Sequence, residues 1–144
     1  MYEDIKDWII DVRRDFHQYP ELGMEEMRTS KKIASYLREM NIEVREGIAG
    51  TGVVGIIRGC AEGKTVGLRA DMDALPIVEE RNVEYKSKVV GKMHGCGHDA
   101  HIAILLGTAK VLNAMKKELK GNVVLIFQPA EETTGGAKPM IEAG

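Results

Sequence analysis

Val123-Val124-Leu125-Ile126-Phe127 is an unbroken apolar run, closed in front by Gly121-Asn122 and behind by Gln128-Pro129. Its length and β-branched content suit a strand. With no polar position left to face water, both of its faces must be covered. A chain that carries such a run needs packing layers above and below a sheet, and the remaining pattern supplies them. Ile5, Trp8, Ile9, Val12 and Phe16 recur at helical spacing, so residues 3–18 read as an amphipathic helix that Tyr19-Pro20 ends. Ile33, Ala34, Leu37 and Met40 mark a second helix from about Met24 to Met40. Ile42–Arg45 is a short strand candidate, and Gly52–Arg58 and Thr65–Ala70 are β-rich segments bounded by glycine. Asp99 is placed to N-cap a long helix through Ala103, Leu106, Ala109, Val111, Leu112 and Met115 to about Leu119, broken by Gly121-Asn122. Thr133–Ala137 reads as a loop, and Lys138–Gly144 as a helix just begun. Residues 74–92 show no period. Two helices followed by strands mixed with helices argue for a layered α/β sandwich.

The length of 144 residues is that of one ordinary domain. Twenty basic residues against 22 acidic ones leave a net charge of −2, and no basic stripe points to nucleic acid or an anionic membrane. Every apolar run is far shorter than the ~20 residues that span a bilayer. The acidic N-terminus has no apolar signal segment, and two cysteines make no disulfide framework, so the expected setting is a reducing cytoplasm. A chain that stops just as a helix begins is expected to be a fragment of a longer protein.

Three of the four histidines and one of the two cysteines fall in the run Met93-His94-Gly95-Cys96-Gly97-His98-Asp99-Ala100-His101. Nitrogen and sulfur donors this close, spaced by glycine, point to a transition-metal site. Cys96 and His98 are two apart, so in extended chain both side chains reach one ion. Gly95 and Gly97 argue against a helix there. The alternative is a buried free cysteine beside surface histidines. His94 and His101 have open roles, with His101 second to the ligands, substrate-facing or solvated. Asp99 is expected to cap the helix, and to orient a neighbouring imidazole as well if it can reach one.

Glu131 and Glu132 follow the buried strand and a proline, at the carboxyl end where open α/β sheets place ligand sites. Adjacent side chains diverge in extended chain, so one carboxylate can bind metal while the other moves a proton. The bland alternative is a solvated Glu pair. Asp71 and Asp73 flank Met72 at another strand end, as metal ligands, orienting groups or turn caps. Glu79 and Glu80 read as a solvated face, and Cys60 as a small buried or half-buried residue. There is no His-Glu-x-x-His, Cys-x-x-Cys or Gly-x-Ser-x-Gly pattern and no phosphate-binding loop.

Phe16-His17-Gln18-Tyr19-Pro20-Glu21-Leu22, Leu68-Arg69-Ala70-Asp71-Met72-Asp73-Ala74-Leu75-Pro76, the Met93–His101 run, and Gln128-Pro129-Ala130-Glu131-Glu132 with Gly135-Gly136-Ala137 stand in fixed order. In these blocks the chain resembles the N-terminal part of the N-acyl-amino-acid amidohydrolases, the hippurate and auxin-conjugate hydrolases among the co-catalytic metallopeptidases. The resemblance implies a three-layer α/β/α sandwich with a mixed sheet, incomplete at the C-terminus. It implies that residues 1–144 are the N-terminal part of the catalytic domain, without the second lid or dimerisation domain. It assigns Cys96, His98 and Glu132 as metal ligands, Glu131 as general base and Asp73 as the aspartate that orients a ligand. Asp71 departs from clan relatives, which carry a histidine there. The cofactors implied are two divalent ions per complete site, manganese, zinc, nickel or cobalt. The substrate implied is a small N-acyl amino acid, and the full-length protein is expected to form a homo-oligomer. Two further histidine ligands lie beyond residue 144 in that family, so the chain alone is expected to be inactive or nearly so.

Two other functions fit part of the pattern. Cys96 as a nucleophile with a nearby histidine base makes a cysteine hydrolase, which leaves the Glu pair unexplained. A non-catalytic fragment holding a structural metal needs a closed set of four ligands.

Overall fold

The computed structural model describes the backbone of residues 2–144 and side chains from residue 5 onward. Its elements run α1 (Tyr2–Gln18), α2 (Met27–Glu39), β1 (Glu43–Ile48), β2 (Gly52–Arg58), β3 (Ala61–Asp71), α3 (His98–Ala114), β4 (Lys120–Gln128) and α4 (Ala137–Glu142). The strands form one mixed sheet in the order β1-β2-β4-β3. β1 pairs antiparallel with β2, and β2 antiparallel with β4. β3 and β4 are parallel neighbours joined through α3.

The register sets which side chains meet the helices. Val53 lies opposite Phe127, and Ile57 opposite Val123, on β2 and β4. Val53, Ile57, Leu125 and Phe127 are buried with Val12 and Phe16 of α1, Ile33 and Leu37 of α2, and Ile102 and Leu106 of α3. Side chains alternate between faces along a strand, so Val54, Val124 and Ile126 point the other way. There they line one groove with Met140 and Ile141 of α4. The chain is therefore α/β, with helices on both faces of a mixed sheet. The apolar run 123–127 lies inside β4: Leu125 and Phe127 are buried under the helices, while Val124 and Ile126 on the other face stay half-buried in the groove beside α4, so the cover expected on both faces is complete on one only.

Several element ends differ from the sequence expectation. Helix α2 starts at Met27 rather than near Met24, because the Glu21 carboxylate accepts from the amides of Arg28 (3.0 Å) and Thr29 (2.8 Å) and fixes the first turn. Helix α3 ends at Ala114, short of Leu119. Gly121 lies inside β4 and does not precede it. Asp99 does not cap α3: Gly97 holds the cap position, with no side-chain capping bond, and Asp99 stands in the first turn. Residues 72–97 form a long irregular crossover, tied down by bridges between Leu22 and Ala74 and between Leu75 and Met93. Cys60, expected to be buried or half-buried, is exposed.

Candidate metal centre

Because β3 and β4 run parallel, their carboxyl ends lie side by side, with Asp71 opposite Gln128. The Met72 amide donates to the Gln128 carbonyl at 3.0 Å and carries this alignment past the strand ends. The segments that follow, 71–73 and 129–132, therefore emerge together, and the start of α3 arrives at the same edge.

Cys96 Sγ, a ring nitrogen of His98 and a carboxylate oxygen of Glu132 all lie within 4.8 Å of one another. The sequence expectation brought Cys96 and His98 together through an extended segment, and the local reason is different. His98 is the first residue of α3, and Gly97 before it is left-handed at φ 88°. That reversal, natural for glycine, folds the thiol back over the imidazole.

Two contacts orient the imidazole. His98 Nδ1 lies 2.9 Å from the Asp73 carbonyl oxygen and 3.2 Å from Asp73 Oδ1, so it donates to Asp73. Nε2 is left facing Glu132 Oε1 at 3.8 Å. Asp73 Oδ2 accepts from the Glu132 amide at 2.8 Å. One buried aspartate thus fixes both an imidazole and the backbone of the facing carboxylate. Burial works against charge on both groups. For His98, the Asp73 contacts and the Asp71 charge outweigh it and raise the pKa. For Asp73, bonds from His98, Glu132 and Glu131 outweigh it and hold the carboxyl below its usual range.

The chemistry of the donor set fits a divalent cation. Glu132 Oε1 is buried with no hydrogen-bond partner. Hydrogen bonding to Glu132, then burial and the charges of Glu132, Glu131 and Asp71, push the Cys96 thiol up to about 11. A thiol and an imidazole held in their protonated forms beside carboxylates are the groups a divalent ion would relieve. A second grouping shares His98: Asp71, His98 and His101 also offer donors within 4.8 Å. His101 stacks on His98 with ring centroids 5.3 Å apart, and its Nδ1 lies 3.7 Å from Asp71 Oδ2. Asp71 is also paired with Arg69, which donates to Gln128 as well. Glu131, beside Glu132, is exposed.

Behind the centre lies a buried polar layer that the sequence reading assigned otherwise or not at all. Glu79, expected on a solvated face, is buried. His17 is wholly buried between it and Asp99, 2.8 Å from Asp99 Oδ2 and 3.2 Å from both Glu79 oxygens. Arg13 reaches the same Asp99 oxygen at 3.0 Å. The bond to Asp99 is the largest influence on His17 and raises its pKa against burial. His94 is buried with neither ring nitrogen bonded, and burial lowers it to about 4, so it is neutral. Glu26 is wholly buried as well. A signal for it existed: residues 26, 29, 30, 33, 34 and 37 lie on one helical face, which places a carboxylate in the apolar stripe.

The chain belongs to Peptidase family M20/M25/M40, which it matches over residues 67–144. It is 58% identical over 144 residues to thermostable carboxypeptidase 1 of Saccharolobus solfataricus, covering 98% of this chain and 37% of that protein. It is 51% identical over 142 residues to IAA-amino acid hydrolase ILR1-like 5 of Arabidopsis thaliana, covering 99% of this chain and 32% of that protein. Among solved structures, the YXEP protein of Bacillus subtilis, described as a dinuclear metal binding peptidase from the M20 family, superimposes with a TM-score of 0.95 at 47% identity. That match covers 99% of this chain and 40% of the other. The chain thus spans 32–40% of the length of these relatives. No described helix is long and apolar enough to cross a membrane.

Proposed function

We propose that residues 1–144 are the N-terminal part of the catalytic domain of a metal-dependent amidohydrolase that cleaves the amide bond of N-acyl amino acids. The observation that carries this reading is the convergence of Cys96, His98 and Glu132 within 4.8 Å at the carboxyl ends of two parallel strands. These three side chains are the ligands of a divalent ion, and a second ion completes the site in the full-length protein. When bound, such an ion polarises an acyl carbonyl and lowers the pKa of water. Asp73 keeps the His98 proton on Nδ1, so that Nε2 is free to ligate.

Glu131 is the general base. Its carboxylate takes a proton from the attacking water as the water oxygen bonds to the acyl carbon. It gives that proton to the amide nitrogen as the carbon–nitrogen bond breaks, releasing a carboxylic acid and an amino acid. A carboxylate that does not ligate is free for both transfers, and exposure of Glu131 gives it access to substrate. Relatives named as a carboxypeptidase and an IAA-amino acid hydrolase support an amide substrate with an amino acid on one side. Against a cysteine nucleophile stands the Cys96 thiol itself, raised to about 11 where attack needs a lowered pKa.

The test is hydrolysis of N-acetyl and N-benzoyl amino acids with added manganese. We expect the 144-residue chain to turn over far more slowly than full-length relatives, with EDTA removing what activity remains. Glu131→Gln is expected to abolish turnover while leaving metal bound. Hydrolysis that survives EDTA overturns the metal-dependent reading, and a relative-like rate overturns the view that the site is incomplete.

A further inference from the structure

Glu26 is buried to 0% exposure and has no cationic partner among the described side chains. Its Oε2 accepts from the Thr51 hydroxyl at 2.7 Å, in the turn between β1 and β2. Its Oε1 accepts from the Ala130 amide at 2.9 Å. A carboxylate placed there instead of an apolar residue carries a desolvation penalty with no opposite charge to offset it. Burial accordingly holds the Glu26 carboxyl above its usual range.

What Glu26 grips is the start of the turn bearing Glu131 and Glu132. Ala130 is left-handed at φ 51°, a conformation unfavourable for a residue with a Cβ. Its carbonyl accepts from the amides of Gly135 (2.9 Å) and Gly136 (3.2 Å) and closes the turn behind it. Two residues on, the Glu132 amide is held by Asp73 at 2.8 Å. The backbone from 130 to 132 is thus pinned at both ends by buried carboxylates. Gly23 packs against the same turn: a Cβ there would come within 2.9 Å of Ala130 Cα and 2.4 Å of Thr133 Oγ1. A strained residue persists only where its surroundings over-determine it, and here it sits next to the proposed base.

We propose that Glu26 is a positioning residue of the metal centre, whose grip on the Ala130 amide holds the left-handed turn that aims Glu131 and Glu132 at the Cys96–His98 pair. Glu26 touches neither substrate nor ion. The proposal rests on the metal-site reading above. It is distinct from the role of Asp73, which acts on the other end of the same turn.

Cobalt(II) titration of the 144-residue chain tests it, read as affinity and as the thiolate charge-transfer band. Glu26→Ala is expected to weaken cobalt binding by about 10–100-fold, the usual range for partners behind a ligand. Glu26→Gln keeps an acceptor for Ala130 and is expected to stay close to the parent protein. Adding Ala130→Gly to Glu26→Ala is expected to restore most of the loss, because glycine holds the turn without restraint. Ile33→Val, a core change on the same helix, is expected to lower stability and leave cobalt affinity unchanged. If Glu26→Ala does not fold, Thr51→Val removes only the second anchor of the carboxylate and is expected to weaken binding severalfold. Parent-like affinity in Glu26→Ala or Thr51→Val overturns the role of Glu26, as does failure of Ala130→Gly to rescue. A parent chain that binds no cobalt overturns the metal-site reading and this proposal together; binding that is indifferent to Glu26 removes only the latter.

Discussion

His17 is the charge on which the buried layer behind the metal centre depends. Burial alone would lift the carboxyls of Glu79 and Asp99. The Ser87 amide and then His17 hold Glu79 low, and His17 and Arg13 hold Asp99 low. Replacing His17 with Gln leaves two buried carboxylates without their shared imidazolium. We expect a loss of about 3–5 kcal/mol in urea unfolding at pH 6, the range for breaking a buried pair. The sign of the pH dependence follows from the shifts. His17 is raised, so its contribution is complete below the ordinary histidine value of about 6.5 and fades as pH rises through the folded-state value. The two carboxylates are lowered, so theirs is present above about 4 and fades as pH falls through their folded-state values. The stability gap between the parent chain and His17→Gln is therefore expected to peak between these limits and narrow toward alkaline pH; a gap that widens from pH 7 to 9 contradicts the assignment. Asp73 is the corresponding residue on the metal side. Asp73→Ala removes the Oδ1 contact to His98 and the grip on the Glu132 amide, and is expected to lower zinc affinity about 10–100-fold in a competition titration.

Between Cys96 and helix α3, a single left-handed residue does the aligning. A Cβ on Gly97 would meet nothing within 4 Å, so Gly97→Ala carries only the conformational penalty of about 1–2 kcal/mol. We expect a folded protein with a slightly lower Tm and a clear loss of zinc affinity, because relaxation of that φ separates the thiol from the imidazole. Full affinity in a folded Gly97→Ala would show that the turn is dispensable. Local pattern was a good guide where one rule decided the outcome. Gly52–Arg58 is a strand over the expected residues, and the apolar run falls inside β4, with Leu125 and Phe127 buried beneath the helices. Pattern misled where two rules competed: the extended reading of Cys96–His98 was overridden by the start of α3 at His98. It put Glu79 on a solvated face and did not single out His17 or, despite its place on the buried helical face, Glu26, because a polar residue's burial is decided by distant partners. His17 meets Asp99 across 82 residues, and Glu26 meets Ala130 across 104.

For the whole molecule, the three segments that meet at the sheet edge come from far apart in the chain, so an ion shared by them would tie the fold together. An ion that binds only the folded state stabilises it by mass action, about 2.7 kcal/mol at a free concentration one hundred times Kd. The parent chain is expected to melt several degrees higher with zinc than with EDTA, and Cys96→Ala is expected to lose most of that shift. The family match, and the 0.95 superposition on a dinuclear M20 peptidase, place this edge in the same architecture. The most direct measurement is X-ray absorption at the zinc edge of the zinc-loaded 144-residue chain. The account expects one sulfur at about 2.3 Å with nitrogen and oxygen at about 2.0–2.2 Å, and loss of the sulfur shell in Cys96→Ala. A folded chain that retains no zinc, or a zinc shell without sulfur, contradicts it.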